Sequence, residues 1–365
     1  MTNRLVAQNL FHRPVRTLLS VVAVAVEITL ILTVVGLCQG MLEESARRTR
    51  GVGADVLIRP STAQAAMSFS SAELNEKLVD KLAEWPRVSL ATGTTVHMLT
   101  SSMQTITGVD LPSFSRMSGG LKYLAGGPFE QPFDAVVDEV WARHQKLAVG
   151  QTTNIWNRDF RVTGIVESGK LSRIFIPLAT MQELFGWKGK LSQIYLKLDN
   201  PDETPAVIAE LKRQMPGYNI FSVEEFTSLF SIGNIPGLNT FLSVIIGLAV
   251  TIGFLVVMLS MYTAILERTR EIGILKSLGA SQPYIVSLVL REVVLLTLLG
   301  IALGILLSHG ARELIQESFP ILTVSLHREW WLWAGLIAAA GGMLGALYPA
   351  VRAARQDPIS ALAYE

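Results

Sequence analysis

One cysteine, Cys38, stands in 365 residues. That excludes an intramolecular disulfide, and its place at the end of an apolar run fits a small packed hydrophobe. Charge is scarce too: charged residues make up 17% and the formal net charge is +1. Such balance leaves no electrostatic footprint for nucleic acid. The five histidines, His12, His97, His144, His309 and His327, share no metal-ligand spacing. Neither a G-x-S-x-G nor an H-E-x-x-H occurs. Asp138 and Glu139 are adjacent, and strand neighbours point to opposite faces, so they make poor acid and base partners. Nothing here argues for catalysis or a metal site.

One near-match to a nucleotide-binding motif fails on its chemistry. Gly164-Ile165-Val166-Glu167-Ser168-Gly169-Lys170 fits the G-x-x-x-x-G-K spacing of a phosphate loop, but Leu171 follows where the Mg²⁺-binding Ser or Thr belongs. Gly164 also falls in a predicted strand. The segment is expected to be a hairpin turn, and the chain to carry no ATPase of its own.

What is abundant is hydrophobicity: 50% of residues, with mean hydropathy +0.40. It concentrates in four runs, residues 18–40, 240–266, 283–308 and 330–349. About 20 helical residues at 1.5 Å each cross a hydrocarbon core of about 30 Å. The first run is longer than a signal-peptide core and no A-x-A site follows, so an uncleaved span is expected. Bulky Leu37 before Cys38 argues against a lipoprotein signal. Trp330, Trp331 and Trp333 suggest an aromatic belt. Gly300 with Gly304, and Gly341 with Gly345, offer close-packing surfaces, as does Gly36. Pro349 is expected to break the fourth span near the interface.

Basic residues set the orientation. Arg4, Arg13 and Arg16 precede span one, Arg268, Arg270 and Lys276 lie between spans two and three, and Arg352 and Arg355 follow span four. With four spans these segments share one side, expected to be cytoplasmic. Arg47, Arg48 and Arg50 pull the other way, but long domains translocate largely regardless of charge. Within the spans stand Glu27, Arg291 and Glu292. Intramembrane charge is costly and faces protein or water. Arg291 can snorkel to the interface. Glu27 reads either as part of a translocation or dimer interface or as a carboxyl buried against neighbouring helices.

The polar middle, residues 41–239, reads as a mixed α/β domain. Ser70-Ser71-Ala72-Glu73 has the form of a capping box, opening a helix with Leu74, Leu78 and Leu82 on one face. Strands are expected over 55–59, 88–99, 105–109, 135–138 and 174–176, with helices after the last two. Residues 150–166 read as a hairpin turning at Asn157-Arg158-Asp159. Residues 194–222 read as a β-α-β unit.

The most informative segment is Leu266-Glu267-Arg268-Thr269-Arg270-Glu271-Ile272-Gly273-Ile274-Leu275-Lys276-Ser277-Leu278-Gly279-Ala280-Ser281. Ile265, Ile272, Leu275 and Leu278 recur at helical spacing, charges mark the other faces, and Gly279 is a helix stop. A short amphipathic helix between two spans is well placed to dock a partner. The segment resembles the coupling helix of the FtsX-like, MacB-type ABC transporter permeases, the type VII transmembrane subunits. Asn9-Leu10-Phe11-His12-Arg13-Pro14 resembles their N-terminal amphipathic helix (residues 1–17), and Tyr348-Pro349-Ala350-Val351-Arg352 through Asp357-Pro358-Ile359 their C-terminal tail (residues 350–365).

The resemblance implies four transmembrane helices and a large α/β extracytoplasmic domain between the first two, a MacB-like periplasmic core domain. Residues 267–282 would form the cytoplasmic coupling helix and 309–329 a short outer loop. Glu267, Arg268, Arg270, Glu271, Gly273, Lys276 and Gly279 are its candidate contact residues. It further implies two copies of a cytoplasmic ATP-binding subunit that binds ATP and Mg²⁺, and a second permease chain as homodimer partner. A membrane-fusion adaptor and an outer-membrane channel complete the expected partners. The expected role is mechanotransmission for export of a lipid, peptide or drug-like substrate from the bacterial inner membrane. The rival readings are a regulatory scaffold controlling a cell-wall hydrolase, as in FtsX itself, and a lipoprotein-releasing permease.

Overall fold

The computed structural model describes residues 14–61, 72–99 and 104–356. Arg4, His12, Arg13, most of the N-terminal motif, Ser70, Ser71 and the Asp357-Pro358-Ile359 end of the tail motif lie outside them. The chain divides into two compact units, one of residues 1–40, 237–317 and 324–365, the other of residues 41–236 and 318–323. Among the described residues, four helices are long and apolar enough to cross a membrane.

The first, α1 (Pro14–Arg50), ends within the second unit. That unit continues with β1 (Val56–Pro60), β2 (Leu74–Asn75), α2 (Lys77–Ala83), β3 (Val88–Leu99), β4 (Gln104–Val109), α3 (Leu111–Ser118) and β5 (Tyr123–Gly126). Next come β6 (Asp134–Asp138), α4 (Glu139–Gln145), β7 (Thr152–Ile155), β8 (Arg158–Val166), β9 (Ile174–Pro177) and α5 (Leu178–Leu184). It closes with β10 (Lys190–Leu191), β11 (Gln193–Leu198), α6 (Thr204–Gln214), β12 (Tyr218–Ser222) and α7 (Val223–Ser228).

One sheet runs β12-β1-β11-β3-β4-β9-β6-β8-β5, with β7 also on β8. The β4–β9 and β6–β8 pairs are parallel and the others antiparallel. Strands β11 and β12, joined by α6, flank β1, so the expected β-α-β unit has a strand between its two members. Two apolar cores sit on the sheet. One gathers Val56, Leu74, Leu82, Leu196, Leu211 and Ile220. The other gathers Ile106, Val137, Trp141, Phe160, Ile174 and Met181.

Three local expectations need correction. The helix expected from the capping box begins only at Lys77, and Leu74 pairs with Leu191 in a two-stranded sheet. The hairpin turns at Trp156-Asn157, with φ of 49° and 60°, because Ile155 pairs with Arg158. Left-handed backbone at both central residues is what a two-residue type I′ turn requires. Residues 167–173 are no hairpin turn, since β6 lies between β8 and β9.

The first unit holds the start of α1 and then α8 (Leu238–Glu267), α9 (Thr269–Ser277), α10 (Gln282–Ser318) and α11 (Arg328–Arg355). Helix α11 runs through Pro349, which does not end it. A proline costs a spanning helix one backbone bond, and neighbouring helices can restore the satisfaction. Glycines let the helices meet. A Cβ on Gly300 would lie 2.6 Å from Val24 Cβ, and one on Gly304 2.6 Å from Ile28 Cβ. On Gly345 it would lie 2.7 Å from the Phe254 carbonyl oxygen. Thr29 adds a hydrogen bond from its hydroxyl to the Gly304 carbonyl, 3.2 Å. These glycines are therefore occupied by packing within the chain.

Candidate functional site at the short helix α9

Helix α8 ends at Arg268, whose φ of −112° and ψ of 16° turn the chain, and α9 starts at Thr269. The Thr269 hydroxyl donates to the Leu266 carbonyl, 2.9 Å, across this corner. Helix α9 ends before Gly279, which has φ +95° and takes a conformation other residues resist. The sequence thus encodes a nine-residue piece, about two and a half turns, with a marked beginning and end.

Its faces differ. Ile272 and Gly273 are buried, as is Ile265 before them, and Leu275 is half-buried. Leu278 is 79% exposed, contrary to its expected place on the apolar stripe, because Gly279 ends the helix there. Glu267, Arg270 and Glu271 are exposed, with Ile274 beside them.

Two cations point inward instead. Arg268 makes a two-point ion pair with Glu292 of α10, Nη1 to Oε2 at 3.1 Å and Nη2 to Oε1 at 3.4 Å. Both side chains are largely buried. Lys276 Nζ donates to the Ala354 carbonyl at 3.0 Å and to the Gln356 carbonyl at the end of α11. A cation there satisfies the last carbonyls and complements the helix dipole. Helix α9 is thus tied to α10 and α11, and among the described residues Arg270, Glu271 and Ile274 stay exposed on its other side. Beside it lies a cavity of about 290 Å³ lined by Met261, Ile265, Arg268, Ile272, Ile285 and Glu292.

Of the intramembrane polar residues, Arg291 is exposed and Glu292 buried against Arg268. Glu27 is 6% exposed and lies on Gly253 of α8, where a Cβ would come 1.8 Å from its Oε2. Its Oε1 has no hydrogen-bond partner among the described residues. Glu292 needs no second chain to be paired. What the sequence does not reveal is the inward turn of Arg268 and Lys276. A signal is present all the same: both flank the buried stripe, whereas Arg270 and Glu271 sit opposite it.

The MacB-like periplasmic core domain family matches residues 17–214. The FtsX-like permease C-terminal family matches residues 243–358. The ABC transporter permease YknZ of Bacillus subtilis is 32% identical over 228 residues, 59% of this chain and 55% of that protein. The macrolide export ATP-binding/permease protein MacB of Escherichia coli is 27% identical over 390 residues, 97% of this chain and 59% of that protein. The chain thus spans about half the length of these curated relatives. Among solved structures, the periplasmic region of MacB from Actinobacillus actinomycetemcomitans is 17% identical. It covers 52% of this chain and 97% of its own, with a TM-score of 0.37. With both halves matched in order around four apolar helices, the chain belongs to the family of MacB-type, FtsX-like ABC transporter permeases.

Proposed function

We propose that this permease couples ATP hydrolysis by a separate cytoplasmic subunit to movement of its α/β domain. That domain, in this reading, lies outside the inner membrane, while α9 and both termini lie inside. The observation that carries the reading is the two-sided anchoring of α9. Arg268 and Lys276 fasten it to α10 and α11, so a push on its free side reaches those helices together. Arg270, Glu271, Ile274 and Leu278 form that free side, where charge can set partner choice and the apolar pair can be desolvated. Two ATP-binding subunits, which hold ATP and Mg²⁺, would dock on two copies of this chain. The permease itself acts without catalysis. The likeness to MacB, named for macrolide export, favours export of a lipid, peptide or drug-like substrate with an adaptor over a regulatory scaffold.

Reversing charge on the free face tests this. Arg270→Glu and Glu271→Arg are expected to lose association with the ATP-binding subunit, or to leave its hydrolysis uncoupled, while the chain still inserts. Removing one partner of a desolvated pair costs about 2–5 kcal/mol. Normal co-purification and normal transport by both variants would overturn the docking role.

A further inference from the structure

The stretch resembling a phosphate loop has a different use in the fold. Between β8 and β9 the chain must pass β6, and it does so in residues 167–173. Almost every residue there is fastened to a different element of the second unit. Lys170 Nζ donates to the carbonyl of Gly120 at 2.6 Å and to that of Ser118, at the end of α3. Ser172 Oγ donates to the Thr105 carbonyl of β4 at 2.6 Å. The lysine that a nucleotide site would need free is thus occupied by backbone oxygens.

Two further anchors reach segments of special chain position. The Leu171 amide donates to the Arg48 carbonyl, 2.7 Å, in the last turn of α1. Arg173, 3% exposed, places Nη1 3.4 Å from Asp138 Oδ2 and Nη2 3.4 Å from the Ile321 carbonyl. Asp138 ends β6, is itself 1% exposed, and caps α4 by accepting from the Trp141 amide at 2.7 Å. Ile321 lies in the 318–323 connection between α10 and α11 and packs against the second core.

The backbone geometry is tight and strained. A Cβ on Gly51, just past α1, would come 2.0 Å from the Gly169 carbonyl oxygen. Gly169 has φ +109° and Leu171 φ +38°, both outside the range that side chains ordinarily allow. At Leu171 such a conformation persists only where the surroundings over-determine it, whereas Gly169 takes its own freely.

We infer that residues 167–173 are the loop through which displacement of the membrane helices enters the α/β domain, with Arg173 as its positioning residue. The loop grips both the segment that continues helix α1 and the connection between α10 and α11. Through Asp138 and Lys170 it passes their displacement to β6, α4 and α3. This rests on the force-transmitting reading above.

Hydrogen exchange of the full chain with the ATP-binding subunit it is proposed to dock, with and without ATP and vanadate, tests it. In the wild type, nucleotide should change exchange in peptides covering 167–173 and in β6 and β9. If other parts of the domain respond while 167–173 does not, the inference is overturned. In Arg173→Gln, which keeps donors but loses charge and reach, ATP hydrolysis should stay within about twofold of wild type. The nucleotide-driven change in β6 should vanish in that variant, whereas a merely structural role would leave the change in place. Gly51→Ala, which forces α1 from the loop at a separate anchor, should behave alike. A wild-type response in β6 in either folded variant overturns the loop's role and leaves the permease reading standing. A wild-type domain that never responds to nucleotide would remove the force-transmitting reading and the loop's role with it.

Discussion

Arg268 and Glu292 face each other as a fork, two nitrogens on two oxygens at 3.1 and 3.4 Å, with side chains 13% and 5% exposed. The pair joins the corner between α8 and α9 to α10. Its energetics are lopsided. Two charges removed from water lose hydration that their attraction only roughly repays, yet either one alone is strongly unfavourable.

Arg268→Ala should therefore lower stability by about 3–5 kcal/mol, by taking from the buried Glu292 carboxylate its two-point partner. The double change Arg268→Met with Glu292→Leu should lie close to wild type in stability. Denaturation in detergent micelles measures both. An Arg268→Ala protein as stable as wild type would show that Glu292 finds another partner or enough water.

Glycine contacts make a graded prediction. At Gly345 a new Cβ meets Phe254 backbone at 2.7 Å, which cannot swing aside, whereas at Gly341 the nearest atom is a Val250 methyl at 3.4 Å. Gly345→Ala should cost about 1–3 kcal/mol as overpacking, and Gly341→Ala far less. Equal melting temperatures for the two variants would mean that α8 and α11 are not held at this separation.

Glu27 and Gly253 should be coupled for the same reason. Gly253→Ala sets a methyl where the carboxyl lies, and Glu27→Ala empties that space. Combined, the two changes should cost less than their sum, by about 0.5–3 kcal/mol in a double-mutant cycle. Strict additivity would place the carboxyl away from Gly253.

The four spans are legible in the sequence because each is a long apolar run with few charges. The long strands of the α/β domain are legible too, their expected bounds falling within a residue or two of Val88–Leu99 and Gln104–Val109. Helix α3 is absent from the expected elements although its signals are present. Asp110 caps it by accepting from the Ser113 amide, a proline stands in its first turn, and Gly119 follows with φ +72°. Pairings across distance are not legible. Arg268 and Glu292 are 24 residues apart, and Arg173 meets a carbonyl 148 residues on. Local spacing carries no information on such partners, and in Gly164–Lys170 the phosphate-loop spacing falls on a lysine held by the Ser118 and Gly120 carbonyls.

His97 supplies a pH dependence that can be checked. Its ring stacks on Phe185 at 4.0 Å and meets Trp156 edge-on at 5.3 Å. Burial in this cluster lowers its pKa below the ordinary 6.5, against a smaller opposing effect of its hydrogen bond to the Met98 carbonyl. The unfolded chain therefore takes up a proton that the folded ring resists, and stability rises with pH in that window. The contribution is full above the ordinary value and is lost as pH falls from there through the folded value. His97→Phe keeps an aromatic ring in the stack and removes the titration. Melting temperature should fall between about pH 7.5 and about pH 5.5 by less in His97→Phe than in wild type. An equal or larger fall in the variant would assign the acid sensitivity to other groups.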